Sequence, residues 1–201
     1  MSDYTAIADV GETLIDLLRV KMEDLIPIPN DSSIVLVSPG EIPANDTIRL
    51  SLFLYQVSEN VHMRNQELQI FDPATLNYPP ITLDLFYMLT SYPSPGISVV
   101  TERTKEEHSI LGRAVQVLYE NAIIAGTALK GNLSEKYDEL HITMSHLSLD
   151  DITKIWNTFQ DKPFRPSVCY LVTPVMIDST RMMSTQRVVL QEKNYTHMKK
   201  K

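Results

Sequence analysis

The sequence predicts an α/β fold of the α+β kind, with one domain over residues 1–179, a mixed β-sheet of about five strands covered by helices, and an extended basic arm over residues 180–201. Three observations carry this. Segments with apolar residues every three or four positions are interspersed with segments in which every second residue is apolar. The 201 residues, 43% hydrophobic and 21% charged, suit one core and leave little room for a second. Twelve prolines against six glycines make the connections stiff and argue against a glycine-rich phosphate cradle.

Residues 4–25 open the chain as an amphipathic helix. Ile7, Val10, Leu14, Leu17, Leu18 and Leu25 recur at helical spacing, Asp9, Glu12, Asp16, Arg19 and Glu23 lie opposite, and Pro27 ends it. The prolines at 27 and 29 force an extended exit into a short strand, Ile34 to Val37, closed by the turn Ser38-Pro39-Gly40. Residues 47–57 alternate cleanly, with Ile48, Leu50, Leu52 and Leu54 on one face and Arg49, Ser51, Phe53 and Tyr55 on the other. After a proline-containing connection (58–80), residues 81–92 alternate again, so two long strands are placed to pair antiparallel. The period returns to helical over 101–121, where Ile110, Leu111, Ala114, Val115, Val117 and Leu118 form the apolar stripe. Gly126 and Gly131 mark the next loop, and 138–147 form a further strand. Ser148 is then the N-cap of a helix over 149–160, with Asp151 as its capping partner and Leu147 stapled to Ile152. Pro163 and Pro166 end that helix. Residues 167–177 are the last strand of the body, and Pro174, unable to donate a ladder bond, makes it an edge or bulged there.

Charge divides the chain in the same place. Six of the 18 Lys and Arg, but one of the 25 Asp and Glu, fall in residues 181–201, which gives a tail of +5 on a body of -12 within the net -7. An acidic body repels phosphate and anionic lipid, so nucleic acid is excluded as the default partner. The single cysteine, Cys169, cannot form an internal disulfide, and MSDYTAIADV has neither the basic flank nor the apolar run of a secretory signal. No apolar stretch approaches the roughly 20 residues of a membrane span. Together these predict a reducing cytoplasm and no direct membrane insertion.

Candidate chemistry is sparse. His141 and His146 fall on opposite faces of their strand and cannot share a metal, His146 reading as a core-edge residue and His141 as a surface one. Cys169 reads as a small buried hydrophobe. Asp150 and Asp151 suit the first turn of a helix, where carboxylates are favoured. Glu106-Glu107-His108 lacks the second histidine of a zinc-protease helix and reads as a solvated helix face. No serine elbow or Cys-His signature occurs. The sequence therefore predicts no catalytic residue, no metal and no cofactor. What core-building leaves over is polar: Glu59, Asn60, Arg64 and Asn65 directly after the best strand, and Arg165 framed by two prolines, which suits a positioned ion pair or a subunit contact. Local loop capping is the alternative for each of them.

IADVGETLIDLLR (7–19), LSLFLYQVSENVHMRN (50–65), LDLFYMLTSY (83–92), ILGRAVQVLYEN (110–121), LSLDDITKIW (147–156) and PFRPSVCY (163–170) resemble, in this order, the cap or tail-terminator family of bacterial contractile injection systems. The resemblance implies a non-enzymatic subunit of a homohexameric ring. That ring closes the distal end of the inner tube and contractile sheath, ends tube growth and anchors the sheath, in a phage-tail-like particle assembled in the bacterial cytoplasm. Its implied partners are copies of itself, the inner tube protein and the sheath protein. By the same analogy, ring and tube contacts fall near Glu59, Asn60, Arg64, Asn65 and Arg165. The arm, with Arg181, Arg187, Val188, Val189 and Leu190, reaches the sheath or the adjacent subunit by adding a strand to a sheet edge. A small cytoplasmic hydrolase with its site in the loops and a monomeric adaptor are the competing readings.

Overall fold

A computed structural model describes residues 4–25, 30–43, 46–64, 66–72, 75–136 and 139–184. Helix α1 (Ala6–Lys21) buries Ala6, Val10, Leu14 and Leu18 along one stripe. It stops short of the expected position 25: the Met22 N–H still reaches the Leu18 carbonyl, the chain then turns, and Leu25 is exposed. A short helix α2 (Asn30–Ser33) runs into strand β1 (Ile34–Val35). A single 3-10 turn at Pro39–Glu41 follows, where the Ser38 hydroxyl accepts from the Gly40 N–H.

The two long strands are β2 (Leu50–Glu59) and β5 (Ile81–Ser91), antiparallel in register Leu52↔Leu89. The connection between them, expected as a loop, contains a hairpin, β3 (Gln69–Asp72) and β4 (Thr75–Asn77). Helix α3 (Val100–Glu120) is followed by β6 (Ile123–Ala125), a short helix α4 (Leu133–Lys136) and β7 (Glu139–Ser145). Helix α5 (Leu149–Trp156) starts where expected: the Ser148 Oγ accepts from the Asp151 N–H at 3.2 Å and donates to the Asp151 carboxylate at 2.6 Å. The last strands are β8 (Ser167–Ile177) and β9 (Met182–Ser184).

Six strands form the main sheet in the order β1-β2-β5-β8-β7-β6, every pair antiparallel except β1 with β2. It is therefore a mixed sheet of one more strand than expected. A second, three-stranded sheet has the order β3-β4-β9, so the first residues of the expected arm, 182–184, are a strand on the hairpin of the same chain.

Alternation along the long strands decides what each face meets. Leu52, Leu83, Leu85, Tyr87 and Leu89 point to the side covered by α1 and α3 and join Val10, Leu14, Ile110, Ala114 and Val117 in the main core. The other face is apolar as well. Phe53, Met88 and Cys169 stand side by side across β2, β5 and β8 and are covered by Trp156 and Phe159, with Leu147 and Ile152 packed alongside. With both faces covered, β5 is buried along most of its length.

Of the two alternatives expected at Pro174 the bulge is found, and two other expectations change. β8 lies in the interior of the sheet, and it is the bulge that accommodates Pro174: pairing with β5 jumps from Leu83↔Val175 to Leu85↔Val172, while pairing with β7 stops at His141↔Thr173, so no donor is required from the proline. His146 is exposed: it lies beyond the end of β7 at Ser145, and Met144, expected on the same face, is already exposed within the strand. Glu107 is 9% exposed and does not belong to a solvated helix face.

Candidate assembly interface

The polar residues singled out by the sequence separate by what they touch. Asn60 works inside the chain. Its Nδ2 donates to the Asp84 carboxylate of β5 at 2.8 Å and to the Thr173 hydroxyl of β8 at 3.2 Å, and Thr173 in turn donates to Asp84 at 2.6 Å. Its Oδ1 accepts from the backbone N–H of His62 (3.0 Å) and Met63 (3.2 Å), folding the chain into a turn as it leaves β2. Glu59 and Arg64 flank this turn and pair at 2.7 Å with side chains 42% and 49% exposed, so both remain open to solvent. The Arg181 guanidinium lies 4.3 Å from the centre of the Tyr78 ring, and its carbonyl accepts from the Tyr78 N–H at 3.2 Å, which joins the approach to β9 to that of β5. Asn65, Arg187, Val188, Val189 and Leu190 lie outside the described residues.

Arg165 sits away from this group. Its guanidinium donates to Glu107 Oε1 of α3 at 2.7 Å and rests 5.2 Å from the centre of the Tyr92 ring. The expected positioned ion pair is present, and its partner is the carboxylate that the sequence had placed in solvent. The spacing held a signal: Glu107 is three residues before Ile110 and seven before Ala114, on the buried stripe, and a buried carboxylate calls for a cation.

Around Asn60 the surface turns apolar. Val57, Val61, Ile70, Ile81, Met182 and Met183 are exposed near this end of the molecule. Ile70, Leu76 and Met183 are paired neighbours across β3, β4 and β9 and so form one row on one face of the small sheet. The backbone is open here too. β1 pairs only with Leu50 and Ser51, so the outer edge of β2 from Leu52 to Glu59 meets no further strand among the described residues. The outer edges of β3 and β9 are likewise without a neighbouring strand among them.

The ionisable groups displaced from their ordinary range favour their protonated forms. Burial raises the phenols of Tyr55, Tyr87 and Tyr92, takes Tyr170 up to about 12, and raises the Cys169 thiol. Hydrogen bonding to Asp16 raises the Lys130 ammonium. A thiolate nucleophile or a neutral lysine base requires the opposite direction. Among the described residues no three His, Cys, Asp or Glu side chains group closely enough to hold a metal ion, and no helix is long and apolar enough to cross a membrane.

Comparison with known proteins gives one family and a set of solved structures. The family profile described as the Pvc16 N-terminal domain matches residues 9–191. The chain is similar in structure to the PVC sheath/tube terminator of an extracellular contractile injection system in its extended state. That match has a TM-score of 0.64 at 17% identity and covers 98% of this chain and 65% of that one. It is also similar to the anti-feeding prophage cap, the AFP tube terminating cap, with a TM-score of 0.62 at 16% identity, covering 94% of this chain and 61% of that one. The chain thus spans less than two thirds of the length of either structure, and at these identities the likeness is one of fold. No curated protein sequence matches it.

Proposed function

The chain belongs to the Pvc16 N-terminal domain family, and on that premise we propose that it is the terminator subunit of a contractile injection particle, a structural part that caps the inner tube and sheath. The observation that carries this reading is that two structures sharing the fold over almost the whole chain are both tube terminators, one of them also a sheath terminator. Copies of the chain form a closed ring, homohexameric to match a six-fold tail, that ends tube growth and fixes the last turn of sheath. It does this without catalysis.

The geometry supports contacts at the end of the sheet. Both sheet faces are covered by the chain's own helices, which leaves edges and loop tips for neighbours. Glu59, Arg64 and Arg181 are the contact residues of that end, with Asn60 holding the turn that presents the first two, and Asn65 is included on its place in the sequence alone. Arg165 holds a second loop in place through Glu107. The segment Arg187-Val188-Val189-Leu190 follows β9 in the sequence and is β-prone in composition, so it is suited to lie along an open edge such as residues 52–59 of an adjacent subunit or a sheath strand. Repeated head-to-tail, such a contact closes a ring when its rotation closes.

The test is to assemble particles with and without this chain and image their ends. Tubes of regulated length, with a ring of countable subunits at one end, are expected only when it is present. An unchanged length distribution without it, or particles from which it is missing, overturns the reading. Deleting residues 185–201, which leaves β9 and Arg181 in place, tests the remainder of the arm: the sheath should detach or the tube overgrow.

A further inference from the structure

The small sheet presents an apolar row to solvent. Ile70, Leu76 and Met183 stand side by side across β3, β4 and β9, with Ile70 81% and Met183 39% exposed. A second exposed apolar pair, Val57 and Val61, flanks the turn held by Asn60 at the end of the open β2 edge. Neither group makes an interface alone: a row across three strands is about 10 Å wide, and a stable complex buries about 800 Å² on each partner.

The path of the chain joins the two groups. β9 places Met182 beside Asn77 and Ser184 beside Thr75, so the chain leaves the small sheet at the tip of the β3–β4 hairpin. Only Thr185 and Gln186 separate β9 from the β-prone run Arg187-Val188-Val189-Leu190. From Ser184 to Arg187 the chain reaches about 11 Å at full stretch, and retracing β4 alone takes about 7 Å. The run is therefore placed to meet another chain's edge rather than its own. The open β2 edge suits it. Val57 pairs with Leu85 and shares its face, while Tyr55 stands on the opposite face, its ring 6.1 Å from that of Phe86. A guest strand beside them meets apolar groups on both faces, which calls for consecutive apolar residues, as in Val188-Val189-Leu190, rather than alternation. Laid antiparallel with Arg187 beside Glu59, the run brings Val189 beside Val57 on one face and sets its only charge against the exposed Glu59 carboxylate. The two-residue link then carries the hairpin of the donor chain onto the Asn60 turn of the acceptor.

We propose that the apolar row of the small sheet is a docking surface for a second copy of this chain: Ile70, Leu76 and Met183 seat on Val61 and the Asn60 turn of that copy, while residues 187–190 add a strand to its β2. The two surfaces differ, so the contact is head-to-tail and closes a ring when its rotation closes. The inference rests on the proposed reading that residues 187–190 join another subunit, and it names that subunit and the surface it offers.

Full-length Ile70→Cys and Val61→Cys chains are mixed in equal amounts in a thiol–disulfide buffer, and the dimers are resolved by mass. Cys169 is 2% exposed and does not compete. The bond between positions 70 and 61 is expected to form at least about tenfold faster than either like bond, because the added strand raises the local concentration of the pair. Leu149→Cys, at an exposed position on α5, mixed with Val61→Cys gives the untethered rate. Deleting residues 185–201 from both partners should return the 70–61 bond to that rate. All three positions are exposed, so the variants keep the core. In a chain carrying both Val57→Cys and Val189→Cys, the bond should join separate chains into oligomers. A 70–61 bond no faster than the like bonds, a rate unaffected by the deletion, or closure of 57 with 189 inside one chain each overturn the proposal. Particles whose ends carry the chain while no 70–61 bond forms sink this contact alone and leave the terminator reading standing. Rapid 70–61 bonding in a chain missing from particles does the reverse.

Discussion

The Glu107–Arg165 pair offers the sharpest quantitative check, because it joins α3 to the loop before β8 and sits over Tyr92. The side chains are 12% and 24% exposed and meet at 2.7 Å. Removing one member of a buried pair costs about 3–5 kcal/mol when the other is left without water. Here the arginine keeps part of its hydration and its place over the Tyr92 ring, a contact worth about 0.5–1 kcal/mol. Glu107→Ala is therefore expected to cost about 2–3 kcal/mol. For a domain of this size that lowers Tm by roughly 5–10 °C. Glu107→Gln keeps an oxygen for the guanidinium and should cost less. The assay is urea unfolding followed by Trp156 fluorescence and circular dichroism, with an unchanged slope as the sign that only stability has moved. The control is the double variant Glu107→Leu with Arg165→Met, which replaces the pair by apolar groups and should recover most of the loss, giving a coupling of at least about 1.5 kcal/mol. A loss under about 0.5 kcal/mol for Glu107→Ala, or a double variant equal to the sum of the single ones, refutes the pairing argument.

Two glycines with similar backbone separate strain from crowding. Gly126 (φ 59) has open space where a Cβ would stand, so Gly126→Ala should cost about 1 kcal/mol. Gly131 (φ 55) would press its Cβ on the Asp9 carboxylate, which accepts from the Thr5 hydroxyl and the Asn132 N–H, so Gly131→Ala should cost about 2–3 kcal/mol in the same urea assay. Asn60→Ala removes two accepted backbone bonds and the link to Asp84 and Thr173, and should destabilise the free chain by about 1–3 kcal/mol. An unchanged midpoint would mean that Asn60 acts only toward another molecule. In alkali the folded chain holds the Tyr170 proton to about pH 12, whereas the unfolded chain releases it near its ordinary value of about 10. Stability should thus be insensitive to this group below about pH 10 and fall between the two by at most about 1.4 kcal/mol per pH unit, with Tyr55 and Tyr87 adding in the same direction. Urea midpoints that stay constant through about pH 11.5 contradict the burial argument.

Long periodic segments were readable because each residue repeats the same message: α3, β2, β5 and β8 all lie where alternation or helical spacing puts them. The capped start of α5 was legible from Ser148 and Asp151 alone, since a cap is a local device. The hairpin and β6 were not, because three or four residues carry too little period to be told from a loop. At the candidate interface, sequence located the polar cluster but not its division of labour. Asn60 reaches Asp84 and Thr173, which lie 24 and 113 positions away, and only the β2-β5-β8 order brings them together. Pro174 was readable as a constraint. That the fold meets it with a bulge in an interior strand depends on where the pairing of β7 with β8 ends, which Pro174 itself does not encode.

How such a domain can be a building block follows from what it leaves uncovered. Edge strands invite unwanted pairing, and the main sheet limits that with two very short ones, β1 and β6. β1 nevertheless shields only the first two residues of β2, and the remaining edge runs out to the turn held by Asn60. An exposed edge of that length is a liability in a monomer and a specific socket in an assembly, because a guest strand must match both its hydrogen bonds and its alternating side chains. The bulge between Leu54 and Gln56 twists the edge and restricts that match further. Under the proposed function the open part of β2 is the expected assembly contact. A proline at Val57, whose side chain is already exposed, should then block ring formation far more than it lowers the unfolding midpoint of the free chain. A loss of stability without a loss of assembly would move the contact elsewhere.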